Sequence, residues 1–351
     1  MLKKHQLWTR RQTLWLITGT ASSLVLHACS QPNQNANTGS AKVSSGKLMN
    51  ASMGITTWIG FTPLLIAQGK GFFKELGLNF DARNFNSGQD SDAAYTSGRI
   101  DGQGSVTSSS VVMKANKKDL QIVLVEDTSH GADGILARNS ITDIKDFKGK
   151  TIAVEQQGVS HFFLLQVLEQ EGLRESDVKL VNISPAGAAA AYQSGKVEIA
   201  VTYSPFLNLA NSAVKDGRII FDSTKMPTAI ADVYTFDADF IEKNPETVEA
   251  FVRGIFKGLD FLKTNREEGL AIASKSLGIT SKELEEQLAG IQLVDLPTNI
   301  EMLSNPQSEL YILKPMDALA KFLKAQGQIK EIPDLIKVIE PKFAKAVQAT
   351  A

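Results

Sequence analysis

A single cysteine, Cys29, stands among 351 residues, so the chain closes no disulfide within itself and builds no cysteine-rich metal site. Histidine is almost as scarce: of four copies, His5 and His27 precede that cysteine, and only His130 and His161 follow it. Charge of one sign is not in surplus either. Lys and Arg number 37 against 38 Asp and Glu, and no basic run follows the first residues, which excludes the usual signature of a nucleic-acid partner. The Gly-x-Ser-x-Gly elbow, the P-loop and the glycine-rich dinucleotide turn are all missing, and with them the commonest sequence marks of an enzyme. What remains is 43% apolar and 21% charged, enough apolar material for a real core and too little charge for a disordered chain.

The longest apolar stretch, from Leu14 to Ala28, covers 15 positions and is interrupted by small residues. That is short of the roughly 20 a membrane-spanning helix needs. Lys3, Lys4, Arg10 and Arg11 precede it without an acidic residue, so residues 1–28 read as a signal peptide. Leu26-His27-Ala28-Cys29 resembles a bacterial lipobox, with His27 an unusual occupant of its position, and cleavage there leaves Cys29 to carry lipid. Thr9-Arg10-Arg11-Gln12-Thr13-Leu14 resembles a twin-arginine export motif except at Thr13, which leaves the export route open. Residues 29–47 then read as a lipidated cysteine and a flexible polar tether. Removing residues 1–28 takes away four basic side chains and no acidic one, leaving 33 against 38 and a net of −5. The expectation is an extracytoplasmic protein held to the membrane by its lipid alone.

From Leu48 onward, short β-branched runs alternate with helical patterns, the mark of βαβ units on parallel sheets. The pattern predicts strands over 49–55, 78–85, 100–106, 121–126, 134–138, 151–154, 179–183, 197–202, 219–221 and 231–236. Thr62-Pro63, Ser204-Pro205 and Asn244-Pro245 predict helix starts, each with a polar cap before a proline. After residue 237 strand signals stop, and 245–264, 281–290 and 315–326 predict a helical C-terminal third. One internal echo stands out: Tyr95-Thr96-Ser97-Gly98-Arg99-Ile100-Asp101 returns as Tyr192-Gln193-Ser194-Gly195-Lys196-Val197-Glu198. Each copy reads as a helix stopped at glycine and followed by a strand, which suggests two α/β lobes of similar build.

Trp58-Ile59-Gly60-Phe61-Thr62-Pro63-Leu64, followed by Ala67-Gln68-Gly69-Lys70-Gly71-Phe72-Phe73, resembles the opening of the nitrate/sulfonate/taurine class of solute-binding proteins. Asp146-Phe147-Lys148-Gly149-Lys150, both Ser-Gly segments and Asn244-Pro245-Glu246 extend the resemblance in order to about residue 265. It implies an α/β, two-lobed periplasmic-binding-protein fold with two crossing segments (type II), ligand in the cleft and ABC importer membrane subunits as partners. On that scheme lobe 1 is 48–130 plus 234–351, lobe 2 is 131–233, and hinges fall near 130–134 and 229–234. Asp127-Thr128-Ser129-His130-Gly131, Glu155-Gln156-Gln157-Gly158 and Ala229-Ile230-Ala231-Asp232 also resemble a narrower group, encoded with urea- or guanidine-degrading enzymes. A pyrimidine-synthesis-type enzyme on the same fold is the alternative of another class, and an export signal argues against it.

Ligand sites of open α/β lobes lie at the carboxyl ends of strands. Those loops here carry Asp90, Asp92, Asp127, Asp133, Glu155 and Asp232, with no Lys or Arg. An anion wants basic side chains or helix amides, whereas a cation wants carboxylates and an aromatic face. The expected ligand contacts are Thr57, Trp58, Asp90, Ser105, Asp127, Glu155, His161, Tyr203 and Asp232, while Asp92 and Asp133 read as solvated loop acids or caps. A guanidinium-like cation is the favoured solute, and an aliphatic sulfonate, taurine or nitrate is the alternative. The spacing of His130 and His161 is no metal motif, so neither metal nor cofactor is expected, and the protein is expected to be a monomer.

Overall fold

The computed structural model describes residues 48–226 and 229–349. The signal peptide, Cys29 and the tether fall outside the described residues.

Eleven strands make two sheets among the described residues. They are β1 (Met49–Ile55), β2 (Leu78–Asn84), β3 (Gly102–Val106), β4 (Leu120–Ser129), β5 (Asp133–Arg138), β6 (Thr151–Val154), β7 (Lys179–Asn182), β8 (Ile199–Tyr203), β9 (Gly217–Asp222), β10 (Ala231–Asp237) and β11 (Ile291–Leu293). One sheet runs β11-β4-β10-β3-β1-β2 and the other β7-β6-β8-β5-β9. In the first, β1 pairs parallel with β2 and β3 while β10 is antiparallel to β3 and β4. In the second, β6 is parallel to β7 and β8, and β5 is antiparallel to β8 and β9. The expected two-lobed α/β fold is therefore present, with one sheet per lobe.

Ten strands overlap the ranges the sequence predicts. The eleventh is a correction: Ile291–Leu293 pairs antiparallel with β4, opposite Asp127 to Ser129, although strand signals end at 237. Three residues are too few to carry a period of two, so only the partner strand reveals them. The three proline-marked helix starts also need correcting. Thr62 donates its hydroxyl back to Ile59 O at 2.6 Å, Ser204 donates to Ala132 O at 3.3 Å, and Asn244 donates to Phe240 O at 3.2 Å. The prolines do stand at or beside the first turns of Thr62–Lys70, Phe206–Ala213 and Pro245–Thr264, but none of the three polar side chains caps a helix-start amide, and Ser204 also donates forward to Asn208 Oδ1.

The internal echo has a common geometry. Gly98 and Gly195 take φ of 71° and 74°, and each donates back to the buried tyrosine three residues earlier, Tyr95 or Tyr192, at 3.0 and 3.1 Å. The next residues, Arg99 and Lys196, each close on an alanine carbonyl at 2.9 Å. A left-handed turn of this kind suits glycine, and in both copies it feeds a strand, β3 or β8.

Helices cover both faces of each sheet. Pro245–Thr264 buries Val248, Phe251, Val252, Ile255, Leu259 and Leu262, spaced by three and four as one helical face requires. That face packs with Phe73, Phe80 and Tyr234 against the six-stranded sheet. Leu313–Ala325 and Thr107–Ala115 cover its other face. Around the five-stranded sheet, Val159–Gln170 packs one face and Pro185–Gln193 with Phe206–Ala213 the other.

The chain passes between the sheets twice, after Ser129 and again after Asp222. The two passages are tied together: Ser129 Oγ lies 2.7 Å from Ser223 Oγ, and Gly131 N–H donates to the same hydroxyl at 2.6 Å. His130 and Ala132 both donate to Gly290 O, which anchors the first passage to the helical third.

Candidate functional site

Between the two sheets lies a cavity of about 550 Å³ of empty space, including its solvent-facing mouth. From the six-stranded side come Thr56, Trp58 and Phe61 after β1, and Gly88 and Ser91 from the head of helix Gly88–Thr96. Gly104, Ser105, Val106 and Ser109 complete that wall around the end of β3. From the five-stranded side come Asp133, Glu155, Gly158, Val159 and Tyr203, while Ile230 and Asp232 close the wall near the second passage. No Lys or Arg lines it.

Five of the expected contacts are on this wall: Trp58, Ser105, Glu155, Tyr203 and Asp232. The other four are placed elsewhere. Successive side chains of an extended segment face opposite ways, so Thr56 lines the cavity while Thr57 turns away and accepts from Asn84 Nδ2 at 3.4 Å. Asp90 is spent at the start of its helix, where it accepts from Ser87 Oγ at 2.8 Å and gives its own N–H back to that hydroxyl. Asp127 stands behind Trp58 and accepts the indole Nε1–H at 3.0 Å. His161 is buried on a separate pocket with Gln157 and Glu175. Its Nδ1 accepts from Gln157 N–H at 3.1 Å, and its Nε2 lies 3.5 Å from Glu175. Burial pushes the imidazole below its ordinary range, with Glu175 opposing.

Asp133, read in the sequence as a solvated acid, is instead buried on the wall. It opens β5 at the first passage, and only the approach of the other sheet takes it out of water. Asp92 is likewise turned inward near Gln103 and Ser109, and burial raises its carboxyl to about 6. Ser91 sits one helical turn beyond its capping Ser87, a spacing that could have been read, and Ser109 lies in the first turn of Thr107–Ala115. Nothing local marks Phe61 or Val159 as wall residues.

The site is acidic, and its carboxyls are buried. Burial raises the carboxyls of Asp133 and Glu155 to about 7. Burial and mutual repulsion hold Asp127, Asp232 and Glu126 well above the usual carboxylate range. One oxygen each of Asp127, Asp133, Asp232 and Glu126 is buried without a hydrogen-bond partner. A buried carboxyl oxygen left unpaired is costly, so Asp133 and Asp232, which reach the cavity, offer unmet acceptors to whatever enters. Among the described residues no three His, Cys, Asp or Glu side chains converge as metal ligands.

The opposite chemistry is also available. Helices Thr107–Ala115 and Val159–Gln170 begin at the wall, and neither start is capped by a side chain. Free amides at a helix start favour an acid group. Between the two poles the rings of Trp58 and Tyr203 meet edge to face, 5.7 Å apart at 90°, so one aromatic from each side narrows the cavity.

Residues 58–269, which contain most of this wall, match the NMT1/THI5-like family. The chain belongs to that family. Among its relatives, the taurine-binding periplasmic protein of Escherichia coli is 26% identical over 297 residues, covering 81% of this chain and 89% of the relative. A putative aliphatic sulfonates-binding protein of the same organism is 30% identical over 185 residues, 51% of this chain and 56% of the relative. In structure, the alkanesulfonate-binding protein of Xanthomonas axonopodis pv. citri bound to MOPS superimposes with a TM-score of 0.68 at 18% identity, over 85% of this chain and 100% of that one. The desulfurization enzyme DszB shares the fold with a TM-score of 0.63 at 16% identity, over 86% of this chain and 99% of that one. The resemblance of the sequence to the nitrate/sulfonate/taurine class is thereby shown for an NMT1/THI5-like chain.

Proposed function

We propose that this chain is the extracytoplasmic solute-binding component of an ABC importer, and that its solute is a small taurine-like zwitterion carrying an amine and a sulfonate. The relatives draw the reading from the guanidinium-like cation of the sequence toward the sulfonate alternative. The observation that carries it is the cavity's two poles: unpartnered carboxyl oxygens of Asp133 and Asp232 at one, uncapped starts of helices 107–115 and 159–170 at the other. A simple anion would leave the acids unanswered, and a simple cation would leave the amides unanswered. Binding rather than catalysis fits a family whose named relatives are binding proteins, on a wall that holds no histidine or cysteine.

The lobes are 48–130 plus 234–351 and 131–233, hinged near 130–134 and 229–234. A solute touching both favours their closed arrangement, which the importer's membrane subunits recognise. Cys29 carries the lipid that keeps this monomeric protein at the outer face of the inner membrane.

Calorimetry with taurine, ethanesulfonate, nitrate and guanidine tests the solute. Taurine should bind at least tenfold tighter than ethanesulfonate, since a charge-assisted bond contributes roughly 1.5–3 kcal/mol. A guanidinium-like cation is the second reading, favoured by the absence of Lys and Arg from the wall. Guanidine binding tightly where taurine does not would overturn the zwitterion.

A further inference from the structure

Glu155 does not face its own side of the cleft. Carried just after β6, its carboxylate reaches the first turn of helix Gly88–Thr96 on the other sheet, where Gln89 N–H donates to Oε1 at 3.1 Å and Gly88 N–H also points to it. Ser87 caps the same helix through Asp90 N–H at 3.1 Å, so the serine and Glu155 together satisfy the first three amides. The seat is shaped for this carboxylate. A Cβ on Gly88 would stand 3.5 Å from Oε1, and one on Gly158 only 3.0 Å from Cδ. The contact at Gly88 is ordinary packing, whereas at Gly158 a side chain would crowd the carboxylate. The side chain is 2% exposed, and Gln89 Nε2 adds a bond to Gln157 Oε1 at 3.3 Å beside it.

A helix start with two free amides is where a solute acid group would settle. Here an acid of the protein already holds it. We infer that Glu155 is a specificity-determining residue that fills one of the cleft's anion seats from within, so that the site admits a solute with one acid group and rejects a solute with two. This deepens the reading of a taurine-like zwitterion and rests on it for the location of the single acid group, at the start of helix 107–115. A second acid group would meet the Glu155 carboxylate at the start of helix Gly88–Thr96, with Asp133 on the same wall. Like charges brought together beside a buried carboxylate repel strongly.

The test uses the full chain at pH 8, where Glu155 is ionised, with inorganic sulfate as the probe of the seat. In Glu155→Ala the seat is vacated, and sulfate should bind at least tenfold more tightly than to wild type. Glu155→Gln keeps the shape and the Gln89 bond, so it should gain much less. Equal sulfate affinity in wild type and Glu155→Ala overturns the inference. Should the alanine variant fail to fold, wild type alone decides: ethanesulfonate should bind at least tenfold tighter than ethane-1,2-disulfonate, and the reverse order overturns the inference. Failure of the zwitterion reading is distinguishable, because it shows as no taurine preference in wild type whatever the sulfate arm gives.

Discussion

The indole N–H of Trp58 is bonded to Asp127 across 3.0 Å, although the two residues lie 69 positions apart. Through that bond Asp127 influences the cavity without lining it: it sets the plane of Trp58, and Trp58 meets Tyr203 from the other side at 90°. Asp127 is thus a positioning residue for the aromatic pair.

Asp127→Ala leaves the indole N–H buried without an acceptor and should cost about 1–3 kcal/mol of stability. Asp127→Asn keeps an acceptor oxygen while removing a carboxyl that burial penalises, and should cost clearly less. Trp58 is the only tryptophan after Trp15, so denaturant unfolding of the chain lacking residues 1–28, followed by its fluorescence, reads both. Equal losses in the two variants would show that the bond contributes nothing.

Gly60 is where the backbone passes this pair most closely. A Cβ there would fall 1.9 Å from Asp127 Oδ2 and 2.3 Å from Trp58 Nε1, so Gly60→Ala must displace one of them. We expect a loss at or above the roughly 1–3 kcal/mol of ordinary overpacking, with red-shifted Trp58 emission as the ring gains water. An unchanged melting temperature and emission would contradict the geometry.

Stability should depend on pH in an unusual direction. The carboxyls of Asp133 and Glu155 sit at about 7 in the folded chain, against ordinary values of 3.8 and 4.5. Between these limits the folded state therefore holds more protons than the unfolded state, and stability falls as pH rises through the window. Asp146 and Asp295, held low by their capping bonds, act only at more acid pH. The solute-free protein should be more stable at pH 5 than at pH 8, by an amount on the order of a few kcal/mol. Asp133→Asn should flatten part of that slope. Denaturant midpoints at the two pH values check it, and stability that rises from pH 5 to 8 would refute the burial of these acids.

The sequence by itself determined the local events. Strand and helix ranges followed from periods of two and of 3.6, and Gly98 and Gly195 marked the two equivalent turns because a left-handed residue after a helix suits glycine. The sequence placed Trp58, Ser105, Glu155 and Tyr203 at the wall because they stand at the carboxyl ends of strands, and Asp232 because it lies beside the second passage. The rest belonged to tertiary structure. Whether Thr56 or Thr57 faced the cavity, whether Asp133 was exposed or buried, and whether Asp127 and His161 lined the cavity or stood away from it depended on contacts between residues far apart in the chain. The same was true of β11, which exists only against β4, and of Glu155, whose partner helix lies 66 residues earlier. Local pattern reports how a segment packs against its own turn or strand. Which of its polar groups lose water is decided only when two sheets close on each other.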